Sequence, residues 1–448
     1  MPSRNRNRNR NRPQKQRRAL SPARTPGAIV TRGPRDITHA LRLALSSPQD
    51  ERTDRASHSL THDIHTYPAR MHPATARALI ELILGGTAQS GQDALFLDPF
   101  CGSGTTLVEA RHRGLRVIGV DANPLAALLA QAKTWVQPAA RLSKLRDSGQ
   151  RIAAAALAEG KAARRSNYEA PPERVPPGID AEERNRRLLH WYAPHVRREL
   201  EHLAGGIDRV RERDPELADV LTVILSSILY KVSRRTSDTD PTRVDRKVSR
   251  GAAARLFGER TQALVNGLRA LPHARETGSL RPPGQVHVGD ARSLGELVEA
   301  GSVAGIATSP PYAGTYEYAD HQRLRLDFLG LPDDHFRAAE MGARGQFRGS
   351  DGQKKRRARR RYLRAMGAAL QEMSRVSRPR GMIAVMLGDS VAGDRAMWAE
   401  EVMEKALPET LELLAWAGQE RPKLGGRERN AFGERDKREY IFVLQKAR

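Results

Sequence analysis

The chain has 448 residues, enough for two or three domains, and carries 76 Lys and Arg against 52 Asp and Glu. The resulting charge of +24 favours a polyanionic partner, nucleic acid ahead of an anionic membrane surface. The longest uncharged apolar run, Val220 to Tyr230, is about half of what a membrane helix needs, the N-terminus opens on arginines, and the single cysteine, Cys101, excludes an internal disulfide or a Cys-rich zinc site. A soluble, cytoplasmic protein in a reducing compartment is expected.

Residues 1–36 hold eleven Lys or Arg and one Asp with almost nothing apolar, which predicts a disordered basic arm. Pro73 to Leu84 has helical spacing and is stopped by Gly85-Gly86. Ala94 to Asp98 is a short apolar run bounded by turn residues, hence a buried strand. A glycine turn, Pro99 to Thr106, opens a helix to about Arg113. Arg116 to Asp121 is a second strand ending in an acid, and a helix follows from Pro124 to Thr134. Residues 135–284 show only helical patterns, with a linker near Pro171-Pro172 and Pro176-Pro177, and are expected to be a helical insertion. Strand character returns at Gln285 to Asp290. A short helix is expected next, then a strand, Val303 to Thr308, running into Ser309-Pro310-Pro311-Tyr312. A polar stretch to about 353 leads into a basic helix, about 355–377. A strand from Met382 to Leu387, a helix at about 396–406, and two extended segments, about 411–418 and 438–445, complete the chain, the last pair as an antiparallel hairpin. The fold class is α/β: a mostly parallel sheet built from 37–134 and 285–448, interrupted by the helical insertion and by a basic insertion.

Strand, glycine turn, helix, strand and acid form one βαβ unit. Gly102 and Gly104 let a ligand approach the backbone at a helix N-terminus. The pattern lacks the lysine of a phosphate-cradling loop. Asp121 is placed to accept hydrogen bonds from a ribose diol, the alternative being an N-cap for the helix that begins at Asn123-Pro124. By itself the unit also fits half of a dinucleotide-binding domain.

Asp98-Pro-Phe-Cys-Gly-Ser-Gly-Thr105 together with Thr308-Ser-Pro-Pro-Tyr312 resembles the amino-group DNA methyltransferases, which modify N4 of cytosine or N6 of adenine with S-adenosylmethionine. His65-Thr-Tyr-Pro-Ala-Arg-Met-His-Pro73 is similar to the segment that covers the methionine end of the cofactor in that family. The resemblance spans about 60–134 and 285–448 and implies a class I methyltransferase fold, Rossmann-like. It implies a cofactor site made of Tyr67, Pro68, Asp98, Phe100, Gly102, Gly104, Thr105, Asp121 and Asn123, with Asp290 contacting the adenine amino group, and a catalytic loop of Ser309, Pro310, Pro311 and Tyr312. Family members with Ser at the first loop position lean toward cytosine.

The chemistry suits those residues. An exocyclic amine is a poor nucleophile because its lone pair is delocalised into the ring. The Ser309 oxygen and the Pro310 carbonyl would accept its two hydrogens and aim the lone pair at the methyl group, while Tyr312 stacks on a base flipped from the duplex. The prolines stiffen the loop. The 5-methylcytosine route needs a cysteine nucleophile, and Cys101 lies inside the glycine turn. No metal site is expected from the histidines, which include His58, His62, His65 and His72, because none has tight ligand spacing. The stretch Arg344 to Arg364, with ten basic residues and one Asp, is expected to meet DNA phosphates, together with Ala313 to Gln353; the helical insertion is the second choice for target recognition. A cognate restriction or defence nuclease is a further expected partner. An RNA base methyltransferase, or a nonenzymatic nucleic-acid-binding protein, would share part of this pattern, and the pattern leaves the oligomeric state open.

Overall fold

A computed structural model of the chain describes residues 27–46, 58–85, 94–162, 180–236, 242–271 and 284–447. Residues 1–26 of the expected arm and the proline linker lie outside them. No helix among the described residues is long and apolar enough to cross a membrane.

The core is an eight-stranded sheet. Its strands are β1 (Ile29–Arg32), β2 (Leu95–Asp98), β3 (Arg116–Asp121), β4 (Gln285–Val288), β5 (Val303–Thr308), β6 (Ser377–Gly388), β9 (Leu411–Glu420) and β10 (Arg438–Lys446); β7 (Ser390–Ala392) and β8 (Arg395–Met397) form a separate hairpin. The order is β1-β9-β10-β6-β5-β2-β3-β4. β4, β3, β2, β5 and β6 are parallel, β10 runs against both its neighbours, and β1 runs against β9. This is the class I methyltransferase sheet that the resemblance implied, with an added edge strand.

Both faces of the sheet are covered, so its strands read as continuous apolar runs. Alternation sends Ile383, Val385 and Leu387 of β6 and Tyr440, Phe442 and Leu444 of β10 to one face. Ala384, Met386, Ile441 and Val443 go to the other. The helices α12 (Gly352–Val376) and α13 (Ala399–Ala406) pack on the first face, and α1 (Arg35–Ser46), α2 (Pro73–Leu84) and α3 (Thr105–His112) on the second. α4 (Pro124–Lys133) leads into the insertion, whose helices are α5 (Ala139–Ala162), α6 (Ala181–Trp191), α7 (Pro194–Arg211), α8 (Pro215–Leu229) and α9 (Ala252–Arg269). α8 is buried nearly all round, which explains its unbroken apolar sequence.

Several expectations need correction. The arm does not extend to residue 36: Ile29–Arg32 pair with Gln419–Trp416 of β9, and α1 begins at Arg35. Four residues are too few to show a strand period, and flanking arginines masked them. The short helix expected after Asp290 is absent, and residues 291–301 form turns. The stretch after Tyr312 is more ordered than its polarity suggested, with α10 (Tyr318–Leu329) and α11 (Asp334–Ala339). α10 buries Gln322 and Arg325 beside Leu324, Leu326 and Phe328, so polar residues on its core face hid the helical period.

Candidate active site

The loops that leave the carboxyl ends of β2, β3 and β5 converge, as parallel α/β sheets place their ligand sites. The Asp98 carboxylate is 3% exposed. Its Oδ1 accepts from the Phe100 N–H at 3.1 Å and the Thr308 hydroxyl at 2.6 Å, and its Oδ2 accepts from Thr106. Burial pushes it up to about pKa 6 despite these three donors. Asp98 thus ties the glycine turn to the strand that carries Ser309. Its own oxygens are spent on the protein.

Asp121 accepts from the Gly102 N–H and the Asn123 N–H, both at 2.9 Å, and burial raises it to about 6 as well. It does not cap α4. Asn123 does, with Oδ1 accepting from Leu125 N at 3.0 Å, while its amide donates to the Tyr67 hydroxyl at 3.2 Å. Asn123 is fully buried and reaches the site only through Tyr67. Gly104 takes φ +80°, and a Cβ there would meet Ala130 at 2.9 Å, so this glycine serves the close approach of α3 and α4. Gly102, at φ +49°, opens toward the Tyr67 ring instead.

A cleft of about 920 Å³ is lined by Tyr67, Pro68, Phe100, Thr105, Asp121 and Asp290, among others. Asn123 and Gly104 do not line it. The hydroxyls of Ser103 and Thr105 are buried at its wall and find no hydrogen-bond partner among the described residues, which leaves them open to a polar ligand. Burial would raise Asp290, but the Arg292 guanidinium and N–H hold it below its usual range.

Pro311 lines this cleft, and Pro310 and Tyr312 line a second of about 1450 Å³. Ser309, Ala69 and Tyr318 border both. Nothing among the described residues donates to the Pro310 carbonyl, whereas the Pro311 carbonyl accepts from the Tyr362 hydroxyl of α12 at 2.9 Å. Tyr316, Thr315 and Arg344, beyond the loop, line the second cleft, and none of the described residues between 135 and 284 lines either. Cys101 is buried behind the turn, and burial pushes its thiol up, out of the thiolate range.

Sequence reasoning missed what holds the Tyr67–Met71 strap over the first cleft. His62 Nε2 lies 2.8 Å from Glu109 Oε1, and Arg77 Nε donates to Oε2 at 2.9 Å. Arg70 donates to the His62 carbonyl at 2.6 Å. His65 Nε2 meets Ser226 Oγ of α8 at 3.0 Å, and Arg325 of α10 donates to Thr66 at 3.2 Å. Burial holds both histidines below their usual pKa and therefore neutral. Their clustering in sequence was the available signal. Of the polar segment after α8, Arg235 is buried over the rings of Tyr230 and Trp191, at 5.0 and 5.2 Å, and belongs to the insertion's core.

Residues 10–132 match the DNA methylase family of N6 and N4 methyltransferases, a stretch that contains the glycine turn and Asp121 and ends before Ser309. The type II methyltransferase M.MvaI of Kocuria varians is 45% identical over 86 residues, 19% of this chain and 18% of its own. M.MjaII of Methanocaldococcus jannaschii is 34% identical over 92 residues, 20% of this chain and 16% of its own. The chain thus matches less than a fifth of the length of either relative. Among solved structures, TrmN from Thermus thermophilus aligns over 84% of this chain and 48% of its own at 12% identity and a TM-score of 0.30. The rRNA methyltransferase AviRa of Streptomyces viridochromogenes aligns over 90% and 96% at 14% and 0.31.

Proposed function

We propose that the chain, whose residues 10–132 match the DNA methylase family of N6 and N4 methyltransferases, uses S-adenosylmethionine to methylate the exocyclic amine of a base flipped out of DNA, N4 of cytosine ahead of N6 of adenine. The observation that carries this reading is the place of Ser309, on the border of two adjoining clefts. One cleft has the donors and acceptors for the cofactor: the unpaired Ser103 and Thr105 hydroxyls for its charged end, Asp121 for its ribose, and Asp290 for its adenine. The other has room and aromatic surface for a base.

The bound cofactor supplies an electrophilic methyl group on a sulfonium. The protein supplies geometry. Ser309 Oγ and the unoccupied Pro310 carbonyl accept the two amine hydrogens, which localises the nitrogen lone pair and turns it toward the first cleft. The Tyr312 ring stacks on the base. The cofactor would give up its methyl group to the nitrogen and leave as a neutral thioether, and the methylated nitrogen would lose its extra hydrogen as a proton to solvent water. The wall of Pro68, Ala69 and Phe100 keeps water from the methyl group.

The basic surface suits a nucleic acid, and the match to the DNA methylase family favours DNA. Lys354, Arg356, Arg357, Arg360, Arg361 and Arg364 are exposed on α12 and make no ion pair among the described residues. The same helix is tied to the loop that carries Ser309 by the Tyr362 bond to the Pro311 carbonyl. Cytosine is placed first because Ser, not Asp, opens the loop. The type II description of the two relatives supports a modification enzyme paired with a restriction nuclease. Expression in a methylation-deficient bacterial host, followed by mass spectrometry of digested DNA nucleosides, tests all of this. N4-methylcytosine is expected; N6-methyladenine alone would reverse the order of bases, and neither product would remove the function.

A further inference from the structure

The second cleft holds a cation that the fold itself does not use. Among the described residues five basic ones line it: Arg344, Arg421, Arg427, Lys437 and Arg438. Four of them are engaged. Arg421 donates to Glu439 from Nε at 3.0 Å and from Nη2 at 2.6 Å, and Lys437 donates to Glu428 at 3.1 Å. Arg438 lies 3.5 Å from Glu420 and from Asp436, while Arg427 donates to the carbonyls of Val391 and Gly393. The Arg344 guanidinium is half-buried and makes no hydrogen bond or ion pair among the described residues. The carboxylates near it are already taken: Glu317 lies 2.7 Å from Arg348, and Glu340 accepts from the Tyr318 N–H at 2.7 Å.

Backbone contacts fix where Arg344 stands. The Gly314 N–H donates to the Gly342 carbonyl at 2.8 Å and the Arg344 N–H to the Tyr316 carbonyl at 3.0 Å, so residues 342–344 run beside the stretch that leaves the catalytic loop. Gly342 takes φ +65°, and a Cβ there would come within 2.8 Å of the Tyr362 ring and 3.1 Å of Ala313 Cα. Tyr362 in turn donates to the Pro311 carbonyl. Met341, Ala343 and Phe347 are buried around it and anchor the segment. A half-buried guanidinium without a partner is costly until an anion meets it. A neutral base is no such anion. The phosphodiester that an extruded nucleotide brings with it is one, and the guanidinium fork matches two of its oxygens. We propose that Arg344 clamps a phosphate of the extruded target nucleotide in the second cleft, holding the base out of the duplex while Ser309 engages its amine. This task differs from that of the exposed arginines of α12, which serve the duplex. The proposal rests on the methyl-transfer reading above.

The two tasks leave different kinetic marks. A lost duplex contact weakens DNA binding and is overcome by more DNA. A lost clamp lowers the extruded fraction of the bound complex, which no concentration of DNA restores. With genomic DNA from a methylation-deficient host as substrate, and methylated nucleoside counted, Arg344→Gln is expected to lower kcat at saturating DNA about 10- to 100-fold. Arg344→Lys keeps the charge and should recover most of that loss. The Kd for S-adenosylhomocysteine, measured by calorimetry, should stay within about threefold in both variants. A higher KM for DNA with kcat intact would place Arg344 on the duplex and overturn the proposal. A lysine variant as slow as the glutamine one would overturn it too, because the planar fork would then be reading a base edge. A parallel loss of S-adenosylhomocysteine affinity would do the same by showing a merely structural arginine. No product from the wild-type chain overturns the methyl-transfer reading and this inference with it, whereas an active wild type with a fully active Arg344→Gln variant overturns this inference alone.

Discussion

The Thr308 hydroxyl donates to Asp98 Oδ1 across 2.6 Å, joining positions 210 residues apart in the chain. Both side chains are buried, and each ends a strand of the parallel sheet, β5 and β2. Through this bond the loop that would hold the cofactor and the loop that would hold the amine share one fixed point. A shift of either is felt by the other.

Thr308→Val is therefore expected to lower stability by about 1–3 kcal/mol, read from urea midpoints, because a buried carboxylate loses a donor. The loss should depend on pH in a defined sense. Asp98 titrates at about 6, and the lost bond favours its ionised form. The variant should accordingly suffer more at pH 8 than at pH 5; equal losses at both would remove the bond from the ionised state.

Asp121 gives opposite slopes for folding and for binding. Its pKa is raised to about 6, so between about 4 and 6 the native state holds a proton that the unfolded chain has lost, and the stability of the free protein falls as pH rises through that window. Affinity for S-adenosylhomocysteine should instead increase across pH 6 as the carboxylate ionises and accepts from the ribose. Calorimetric titration at pH 5 and pH 8 should show that increase in the wild type and not in Asp121→Asn. Asp121→Ala should weaken binding by about 1–3 kcal/mol.

Gly104→Ala combines a left-handed backbone, φ +80°, with a Cβ placed 2.9 Å from Ala130. Strain and overpacking together should cost about 2–4 kcal/mol in urea denaturation. Gly102→Ala, whose nearest neighbour would be Tyr67 at 3.5 Å, should cost less stability and more cofactor affinity. The two variants thus separate packing from ligand approach.

Neutralising Arg356, Arg357, Arg360 and Arg361 to Gln should weaken all DNA sequences alike and flatten the dependence of log K on log salt by as many as about four units. Lys355 and Arg359 make a useful contrast. Lys355 pairs with Asp394 at 3.4 Å, and Arg359 donates to the carbonyls of Arg395 and Ala396. Their replacement should disturb the β7–β8 hairpin more than the salt slope. An unaltered slope in the four-arginine variant would move the DNA surface elsewhere on the protein.

The elements legible from sequence were those whose residues answer to one neighbour type. β3, β5 and α2 occupy the residues that apolar runs and glycine stops predicted, and the ends of β2 and α4 shifted by a single residue. Burial on both sheet faces leaves no room for polar residues there, so composition and structure coincide. The Asp98–Thr105 turn and the Ser309–Tyr312 loop were equally plain, because chemistry restricts each position and the residues are adjacent. Where a segment's core face carries charge, as α10 does with Arg325, or where a strand depends on a distant partner, as β1 does on β9, the local pattern was silent.

The division of labour at the site came only with the folded chain. Asp98, Asp121 and Asn123 look alike in sequence, three small polar residues near strand ends. Packing makes the first a tie between loops, leaves the second facing a cleft, and spends the third on a helix cap and on Tyr67. Glu439 and Arg421 carried no signal at all, since nothing in the chain near them resembles a site. β9 and β10 bring Glu439 to 3.1 Å from the Tyr312 hydroxyl, with Arg421 bonded behind it. A hydrogen bond needs its donor and acceptor within about 3 Å, and only the closure of the sheet brings residues more than a hundred positions apart to that distance.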